Sequence, residues 1–386
     1  MKRFKLMATA ASGIEALVGK ELRDLGIDCQ IENGRAIFYG TMETIAKANL
    51  WLRTADRIKI IVGEFKATTF EELFEKTAAL PWEEYLPMDA EFPVAGKSIK
   101  SKLFSVSDCQ AITKKAIVKR LSDYYHRYGR LPESGAHYQL EVSLLKDQVR
   151  ITLDTTGPSL FKRGYRLDKG GAPLKENMAA ALVLLTNWRK DRPFYDPVCG
   201  SGTICIEAAL IGHNIAPGFN RSFACEDWAW VEDSVFEKAR DEAEKLADYE
   251  CELDIMGSDI DGRMIELAKK NAEEAGLGDS IVFKQMQLSD FRTEKEYGVM
   301  VANPPYGERL GEEEAVRKLY REMGEVFRPL DTWSKYILTS DLEFEKSYGE
   351  RATKKRKLYN GALRTDYFQY WGKRPPRPAK PETSKE

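Results

Sequence analysis

Between about residues 170 and 370, predicted helices alternate with short apolar runs, and this alternation is the strongest constraint on the fold. The helix ENMAAALVLLTNWRK precedes the strand PFYDPV, and the same order recurs at the strands ELDIMGSD, IVFKQM and KYILTS, with one further strand, YGVMVA, before the last of these helices. Helical connections return the chain to the same edge of a sheet, so such strands run parallel. The segment is therefore predicted to be an α/β unit with a doubly wound parallel sheet, ending in a hairpin around Asn360-Gly361.

The composition is that of a globular protein with two or three domains. The 386 residues are 43% hydrophobic, and 59 Lys and Arg are balanced by 61 Asp and Glu. No run approaches the roughly 18 apolar residues of a membrane span, and the N-terminal segment becomes amphipathic before a signal core develops. We therefore expect a cytoplasmic protein without a membrane partner. Because the net charge is −2, nucleic-acid binding must depend on local clusters of cations.

Neither a metal site nor a disulfide framework is indicated. The six cysteines contain no CxxC pair, and the three histidines, His126, His137 and His213, are far apart in the sequence. Residues 373–386 are rich in proline and charge and are predicted to form a disordered tail. No sequence feature indicates an oligomeric state.

Residues 1–65 are predicted to form a ferredoxin-like α+β domain. Their pattern is strand, helix, strand, strand, helix, strand, with an Asn33-Gly34 hairpin signal between the second and third strands. Ser12 followed by Glu15 matches a capping box, which predicts that the first helix begins there.

Residues 66–165 contain a concentration of positive charge. Between Lys97 and Arg130 there are nine basic residues and two acids, on and around a predicted helix from Ser107 to about His126. Cations on one surface attract polyanions and release counterions from neutralised phosphates, although long helices also carry solvated lysines. The candidate RNA-binding residues are Lys97, Lys100, Lys102, Lys114, Lys115, Lys119 and Arg120.

The segment DPVCGSGT follows the first apolar strand of the α/β unit and opens a helix. Gly200 and Gly202 allow a close approach of ligand to backbone, and a helix N-terminus offers N–H groups. The pattern is neither the dinucleotide fingerprint GxGxxG nor a phosphate-binding loop, so no pyrophosphate is indicated. Taken alone, it is compatible with a nucleotide-like cofactor or with a tight turn.

Acids follow the next two strands. Asp259 ends the strand IMGSD, where a carboxylate can accept hydrogen bonds from both ribose hydroxyls of an adenosine. Asp261 is predicted to cap the next helix. Asp290 follows the third strand and is a candidate partner for an adenine amino group. Asp is also common in turns, so each acid has a structural alternative.

The most specific motif is Asn303-Pro304-Pro305-Tyr306, which follows another apolar strand. An exocyclic amine on a base is a poor nucleophile because its lone pair is conjugated with the ring. If the Asn303 side-chain oxygen and the Pro304 carbonyl each accept an amino hydrogen, the nitrogen can pyramidalise and attack an electrophilic methyl. Tyr306 would stack on the flipped base. The alternative is a rigid loop that only ends a strand.

Together, DPVCGSGT, GSDID, QLSD and NPPYGERL resemble the class I S-adenosylmethionine-dependent methyltransferases that modify exocyclic amines. The preceding KSIKSKLFSVSDCQAITKKAIVKRL and TTGPSLFKRGYR resemble a THUMP domain. The segments IAPGFNRSFACEDWAW and YNGALRTDYFQYW are similar to bacterial large-subunit ribosomal RNA guanine-N2 methyltransferases. The resemblance covers about residues 1 to 372. It implies a Rossmann-like class I methyltransferase domain preceded by an α+β ferredoxin-like/THUMP RNA-binding module.

The resemblance also implies domain limits and site residues. The domains are residues 1–65, 66–165 and 166–372, the last being the methyltransferase domain. The implied catalytic residues are Asn303, Pro304, Pro305 and Tyr306. The implied S-adenosylmethionine-binding residues are Asp196, Pro197, Cys199, Gly200, Gly202, Thr203, Asp259, Ile260, Asp290 and Asn303. Some family members carry a second methyltransferase domain, which we expect this chain to lack.

The expected function is N2 methylation of a guanosine in RNA, with 23S ribosomal RNA favoured and transfer RNA as an alternative. A non-catalytic ribosome assembly factor is a second alternative. A tRNA thiolation enzyme would require an SGGxDS-type loop, and a cytosine C5 methyltransferase would require a cysteine beside Asn303. DNA adenine and protein glutamine methyltransferases share NPPY but lack the basic N-terminal module.

Overall fold

The computed structural model describes residues 2–166, 174–306 and 313–376. These residues form two compact units. The first comprises Met1–Arg163 and Ile215–Ala247, and the second comprises Gly164–Asn214 and Asp248–Glu386. The end of the NPPYGERL motif, residues 307–310, and residues 377–386 of the predicted disordered tail lie outside the described residues.

The first unit begins with the predicted ferredoxin-like order of elements. These are β1 (Phe4–Thr9), α1 (Glu15–Asp24), β2 (Cys29–Glu32), β3 (Arg35–Gly40), α2 (Met42–Trp51) and β4 (Arg57–Lys66). Gly34 has a φ of +75° in the predicted hairpin turn between β2 and β3. The helices bury their apolar faces on the antiparallel sheet, as the sequence pattern requires.

The predicted capping box at Ser12 was wrong. Ile14, not Ser12, immediately precedes the first helical residue of α1, and it makes no side-chain cap. The Glu15 carboxylate instead accepts the backbone N–H groups of Gly13, at 2.8 Å, and Gly34, at 2.9 Å. This carboxylate therefore joins the start of α1 to the β2–β3 turn, a tertiary role that a local motif does not show.

The rest of the first unit extends the same sheet. Its elements are α3 (Phe70–Ala78), a 3₁₀ turn (Trp82–Glu84), β5 (Val94–Ile99), α4 (Val106–Tyr124), β6 (Leu140–Leu145) and β7 (Gln148–Asp154). The strand order is β2-β3-β1-β4-β7-β6-β5, in which β4 pairs with β1 on one side and with β7 on the other. The predicted strand EFPVAGKSIKSKL is shorter than expected, because Lys100 adopts a φ of +50° directly after β5.

The second unit has the predicted α/β architecture. Its first elements are α5 (Glu176–Leu184), β8 (Phe194–Asp196) and α6 (Thr203–Gly212). An inserted segment that contains α7 (Asp233–Leu246) follows. The unit then continues with β9 (Ile255–Asp259), α8 (Gly262–Glu274), β10 (Val282–Gln285), β11 (Val299–Ala302), α9 (Glu313–Phe327), β12 (Ser334–Thr339), α10 (Phe344–Tyr348), β13 (Lys354–Asn360) and β14 (Leu363–Tyr370).

The sheet of the second unit has the order β10-β9-β8-β11-β12-β14-β13. Strands β8 to β12 are parallel, whereas β14 is antiparallel to both β12 and β13. The chain order reverses between β8 and β11, and ligands of open α/β sheets bind beyond the carboxyl ends of strands at such a point. The topology therefore places the candidate site beside the ends of β8 and β11.

The inserted segment, residues 215–247, belongs to the first unit although it interrupts the second in sequence. Trp228 is 1% exposed and stacks on Tyr138, with ring centroids 5.0 Å apart. The indole N–H groups of Trp228 and Trp230 donate to the carbonyls of His137, at 3.0 Å, and Tyr85, at 2.9 Å. These indoles bury large apolar surfaces and satisfy their polar atoms, so they anchor the segment.

Replacing Trp228 by alanine should lower the free energy of unfolding by about 3–5 kcal/mol, because it leaves a cavity and removes a buried hydrogen bond. Chemical denaturation followed by circular dichroism measures the change. Trp371→Ala is the matched control, since Trp371 is 56% exposed and should change stability little. A loss of less than 1 kcal/mol for Trp228→Ala would contradict the anchoring role.

Candidate active site

A cavity of about 380 Å³ lies at the topological switch point of the second unit. Five of the residues predicted from sequence line it, namely Asp196, Cys199, Gly200, Thr203 and Asn303. The structure thus brings the loop after β8 and the residue after β11 to one space, although about a hundred residues separate them in the chain. The wall also includes Val198 and Ser201 of the same loop, and residues that the sequence analysis missed: Arg166, Leu174, Ile204, Met264, Leu267 and Asn271.

The two glycines of the loop after β8 have different physical roles. Gly202 has a φ of +80°, and a Cβ there would lie 2.9 Å from the Phe283 ring and 3.0 Å from the Ala268 Cβ. Gly202 therefore permits close packing of α6 on the sheet. Gly200 has a φ of +51°, and no atom lies within 4 Å of a Cβ placed there. Its place in the cavity wall keeps open space next to the backbone.

Asp196 is the most perturbed acid of the site. It ends β8, is 1% exposed, and its Oδ1 accepts the N–H of Val198 at 3.1 Å. The pKa of its carboxyl is raised to about 8, chiefly by burial; the hydrogen bond from Val198 opposes this shift and the nearby Asp259 carboxylate adds to it. A cation entering the cavity would offset the cost of ionising this group.

Asp259 connects two loops of the site. Its Oδ2 accepts the N–H of Gly200 at 3.0 Å, and its Oδ1 accepts the N–H of Asp261 at 2.9 Å. Asp261 is the N-cap of α8 and accepts the N–H of Arg263 at 2.9 Å, so the predicted capping role of Asp261 is confirmed. Asp261 is also ion-paired with Arg263 at 2.8 Å, whereas each oxygen of Asp259 accepts one N–H and keeps a second lone pair for a ligand.

Five predicted cofactor residues do not line the cavity, namely Pro197, Gly202, Asp259, Ile260 and Asp290. Ile260 is 68% exposed, and its carbonyl accepts a hydrogen bond from Gln285 Nε2 at 3.1 Å. Pro197 is buried beneath the loop. Asp290 ends a 3₁₀ turn, Leu288–Asp290, and is exposed. Their predicted contacts with a cofactor stay predictions.

The loop after β11 is fixed by two tyrosines. The Tyr306 hydroxyl donates to Asn303 Oδ1 at 2.6 Å. The Tyr320 hydroxyl donates to the Pro305 carbonyl at 3.1 Å and lies 2.8 Å from Thr339 Oγ1. Pro304 is buried and Pro305 is exposed. Asn303 lines the cavity, and its side-chain oxygen, which is predicted to hold a target amine, already accepts one hydrogen bond and keeps one further lone pair.

Arg166 and Asn271 were not predicted from the sequence. The Arg166 guanidinium donates to Glu176 Oε1 at 3.0 Å and to Thr203 Oγ1 at 3.1 Å, so it is held beside the start of α6. Asn271 is 1% exposed, and its Nδ2 donates to the Ser201 carbonyl at 3.0 Å. Asn271 could have been identified from the sequence as a polar residue on the apolar face of a predicted helix. No sequence pattern distinguished Arg166.

Cys199 contributes its bulk to the cavity wall. Burial raises the pKa of its thiol far above the ordinary value, and the Asp196 carboxylate acts in the same direction. The thiolate is therefore disfavoured, which opposes a nucleophilic role for this residue. In the described part of the chain there is no cluster of three or more His, Cys, Asp or Glu side chains that could hold a metal ion.

The seven candidate RNA-binding cations of the first unit fall into two groups. Lys97, Lys114, Lys119 and Arg120 form ion pairs with Glu141, Glu133, Asp123 and Glu83 respectively. Lys114 also lies 3.6 Å from the centroid of the Phe92 ring, which indicates a structural role. Lys100, Lys102 and Lys115 are exposed and form no ion pair with any described residue. These three are the cations most available to phosphates.

The helices in the described ranges include none that is both long and apolar enough to cross a membrane.

Comparison with known protein families matches three models along the chain. Residues 163–369 match the RMKL-like methyltransferase domain, residues 5–59 the RlmL ferredoxin-like domain, and residues 67–154 the THUMP domain. The predicted succession of three modules thus agrees with three independent family descriptions.

Relatives of known sequence carry methyltransferase names. The chain is 60% identical over the full length of both proteins to "Putative RNA methyltransferase YpsC" of Bacillus subtilis. It is 36% identical to the ribosomal RNA large subunit methyltransferase K/L of Syntrophotalea carbinolica over 93% of this chain and 52% of that protein. The chain therefore spans about half the length of the K/L relatives that it matches.

Solved structures share the fold. The structure of SMU.472, described as "a putative methyltransferase complexed with SAH", has a TM-score of 0.94 and 61% identity, covering 97% of this chain and all of that one. A Listeria monocytogenes protein described as "a predicted N6-adenine-specific DNA methylase" has a TM-score of 0.94 and 66% identity, covering 97% of each chain. TrmN from Thermus thermophilus, at 20% identity and a TM-score of 0.69 over 95% of this chain and 99% of that one, shares the fold alone. By these matches, the chain belongs to the RMKL-like methyltransferase family and carries a THUMP domain and an RlmL ferredoxin-like domain before its methyltransferase domain.

Proposed function

We propose that the protein transfers a methyl group from S-adenosylmethionine to the exocyclic amine, N2, of a guanosine in RNA, with large-subunit ribosomal RNA as the favoured substrate. The observation that carries the proposal is the convergence of Asn303 and Asp196 on one cavity. An amide oxygen that can orient an amine and an acid that can attract a cation then lie at the same strand ends. Both groups favour amine methylation by a sulfonium donor, one by orienting the nucleophile and the other by binding the donor.

The residues of the cavity fit S-adenosylmethionine. Asp196 is buried without a cationic partner among the described residues, so it suits the ammonium group at the methionine end of the cofactor. Gly200 provides open space beside the backbone, and Arg166 carries a charge that suits the cofactor's carboxylate. Asp259 is proposed to hold the ribose and Asp290 the adenine. When bound, the cofactor supplies an electrophilic methyl group.

The side chains of the loop after β11 would orient the amine. Asn303 Oδ1 and the Pro304 carbonyl each accept an amino hydrogen, which frees the nitrogen lone pair from conjugation and directs it toward the methyl group. The Tyr306 hydroxyl now bonded to Asn303 must yield or share that oxygen when a base enters. Tyr306 then stacks on the flipped base. Pro305 limits the backbone freedom of the loop.

RNA is favoured as substrate by the THUMP match at residues 67–154 and by the names of the relatives. Ribosomal RNA is favoured over transfer RNA by the K/L relatives, although this chain spans only about half of their length. The same amine-orienting loop would serve adenine N6, the activity named for the Listeria protein. A non-catalytic assembly factor is opposed by the intact Asn303 loop in the cavity wall.

Asn303→Ala should retain cofactor binding but lose roughly 100- to 1000-fold in the rate of methyl transfer, because it removes a preorganised acceptor at the reacting nitrogen. Single-turnover transfer to unmodified ribosomal RNA, with calorimetry of S-adenosylhomocysteine in parallel, measures both. Tyr306→Phe is the companion variant, since it removes the hydroxyl bonded to Asn303 while it keeps an aromatic ring. Near-normal turnover by Asn303→Ala would exclude the proposed orientation of the amine.

Asp196 should make cofactor binding depend on pH. With a pKa of about 8, its carboxyl is mostly protonated at pH 6 and ionises as the pH rises toward 8. The ammonium group of the ligand prefers the ionised carboxylate, so the ratio of wild-type affinity to Asp196→Asn affinity should increase by about ten-fold or more over this range. Calorimetry with S-adenosylhomocysteine measures the ratio, in which titration of the ligand itself cancels. A ratio independent of pH would remove the electrostatic role of Asp196.

The unpaired lysines of the first unit should contribute to salt-dependent RNA binding. Reversing Lys102 and Lys115 to Glu should reduce the slope of log affinity against log salt by about 1.4 to 1.8 units if both reach phosphates. Filter binding of ribosomal RNA by the full chain across a salt series measures the slope. Reversal of Lys238 and Lys245, which are exposed on the acid-rich helix α7, is the matched control. Equal slopes for the two double variants would assign Lys102 and Lys115 to the solvated surface.

A further inference from the structure

The terminal hairpin of the second unit carries a cluster of cations that the proposed cofactor pocket does not use. Residues 351–364, RATKKRKLYNGALR, contain six basic residues and no acid. The basic residues are Arg351, Lys354, Lys355, Arg356, Lys357 and Arg364. Four of them belong to β13 and Arg351 lies three residues before it, and β13 is the edge strand of the sheet. The cluster is therefore presented to solvent along one side of the unit.

The pairing register shows that the tip of this hairpin projects past the end of the parallel strands. The last paired residue of β12, Thr339, faces Asp366, so residues 363–365 of β14 have no partner on β12. They pair only with residues 358–360 of β13. At about 3.4 Å per residue, the tip extends roughly 10 Å beyond β12.

The projecting tip is on the same edge of the sheet as Asn303. The last residue of β11, Ala302, is level with Ile337 of β12, and β14 lies on the other side of β12. Neighbouring strands are about 4.8 Å apart, so the strand that supports the tip runs roughly 10 Å to the side of β11. The hairpin thus forms a ridge beside the mouth of the candidate active site.

The two faces of the tip differ in composition. On one face, Leu358 is fully buried opposite Thr365 and anchors the hairpin. On the other face, Tyr359 pairs across the strands with Arg364, and Lys357 Nζ lies 5.3 Å from the centroid of the Tyr359 ring. An aromatic ring between two exposed cations is suited to a base stacked beside its phosphates.

Edge protection does not account for this arrangement. Cations on an edge strand prevent unwanted pairing of sheets, and this explanation suffices for Lys354 and Arg356. It does not require the aromatic ring at the tip, where Tyr359 lies opposite Arg364 and next to Lys357 Nζ. The carboxylates of the ridge are already engaged, since Asp366 lies 3.6 Å from Arg364 and Glu345 lies 3.0 Å from Lys355. Lys357 forms no ion pair with any residue in the described ranges, so it is available to a phosphate.

We propose that Lys357, Tyr359 and Arg364 form an RNA-contacting ridge that holds the single-stranded segment next to the target nucleotide. The inference rests on the proposed function for its choice of polyanion. Lys357 and Arg364 contact phosphates, and Tyr359 stacks on an unpaired base. The ridge gives the methyltransferase unit its own contact with the substrate, independent of the lysines of the first unit.

The first test compares two charge reversals in the full chain. Lys357→Glu/Arg364→Glu should reduce affinity for unmodified 23S ribosomal RNA by at least ten-fold at 100 mM salt and lower the salt slope by about 1.4 to 1.8 units. Arg351→Glu/Lys354→Glu is the matched control, because it changes the same number of charges at the opposite end of the hairpin. Equal losses of RNA affinity in the two double variants, or no loss in Lys357→Glu/Arg364→Glu, would overturn the proposal.

The second test addresses stacking. Tyr359→Ala should weaken RNA binding about five-fold or more, whereas Tyr359→Phe should bind like the wild type. Affinity for S-adenosylhomocysteine should be unchanged in all four variants and serves as the measure of correct folding. Normal RNA binding by the Tyr359→Ala variant would exclude stacking. If the wild-type protein bound duplex DNA of matched length as tightly as the RNA, single-stranded RNA would be excluded as the preferred ligand.

These outcomes are separate from those that test the proposed function. RNA affinity is measured without turnover, so loss of the Asn303 mechanism would leave the ridge result intact. Conversely, if the wild-type protein methylates RNA and the Lys357→Glu/Arg364→Glu variant binds RNA normally, the ridge proposal fails and the proposed reaction stands.

Discussion

The candidate site depends on one carboxylate that joins two strand ends. Asp259 accepts the N–H of Gly200 from the loop after β8 and the N–H of Asp261 at the start of α8. Without these hydrogen bonds, two buried or half-buried backbone donors would lose their partners, at a cost of about 1–3 kcal/mol each. The loop could then leave the position in which Gly200 lines the cavity. Asp259 therefore sets the shape of the pocket as well as being a candidate ligand.

Asp196 shows that the site is built at the expense of stability. The folded carboxyl has a pKa of about 8, whereas an unfolded Asp titrates near 3.9. Between these values the unfolded chain releases its proton and the folded chain keeps it, so the stability contributed by this residue falls as the pH rises from about 4 to 8. An apolar residue there would avoid this loss. The retained acid is thus better explained by a cationic ligand than by the fold.

Patterns that depend on chain neighbours were predictable from the sequence. The parallel strands are apolar runs between helices, and the chemistry follows them at their carboxyl ends, so Asp196, Asp259 and Asn303 could be assigned to one edge of the sheet. Contacts between distant segments were not predictable. Glu15 bonds to the β2–β3 turn instead of forming the expected cap. Arg166 lines the cavity although it is distant in sequence from the loops after β8 and β11 that also line it. Residues 215–247 pack within the first unit through indoles, which carry no periodic signal in the sequence.

In this protein the ability to bind a polyanion depends on the positions of individual cations and not on the net charge. The chain as a whole is nearly neutral, and many cations that appear available in the sequence, such as Lys114 and Arg120, are paired with acids far along the chain. Exposed ion pairs contribute little and can exchange for phosphates, but half-buried ones such as Lys114–Glu133 are part of the structure. Among the described residues, the exposed cations that form no ion pair include Lys100, directly after β5, and Lys357, near the hairpin tip. A nearly neutral protein can thus hold a polyanion at chosen points, without the long-range attraction that a uniformly basic surface would exert on every nucleic acid.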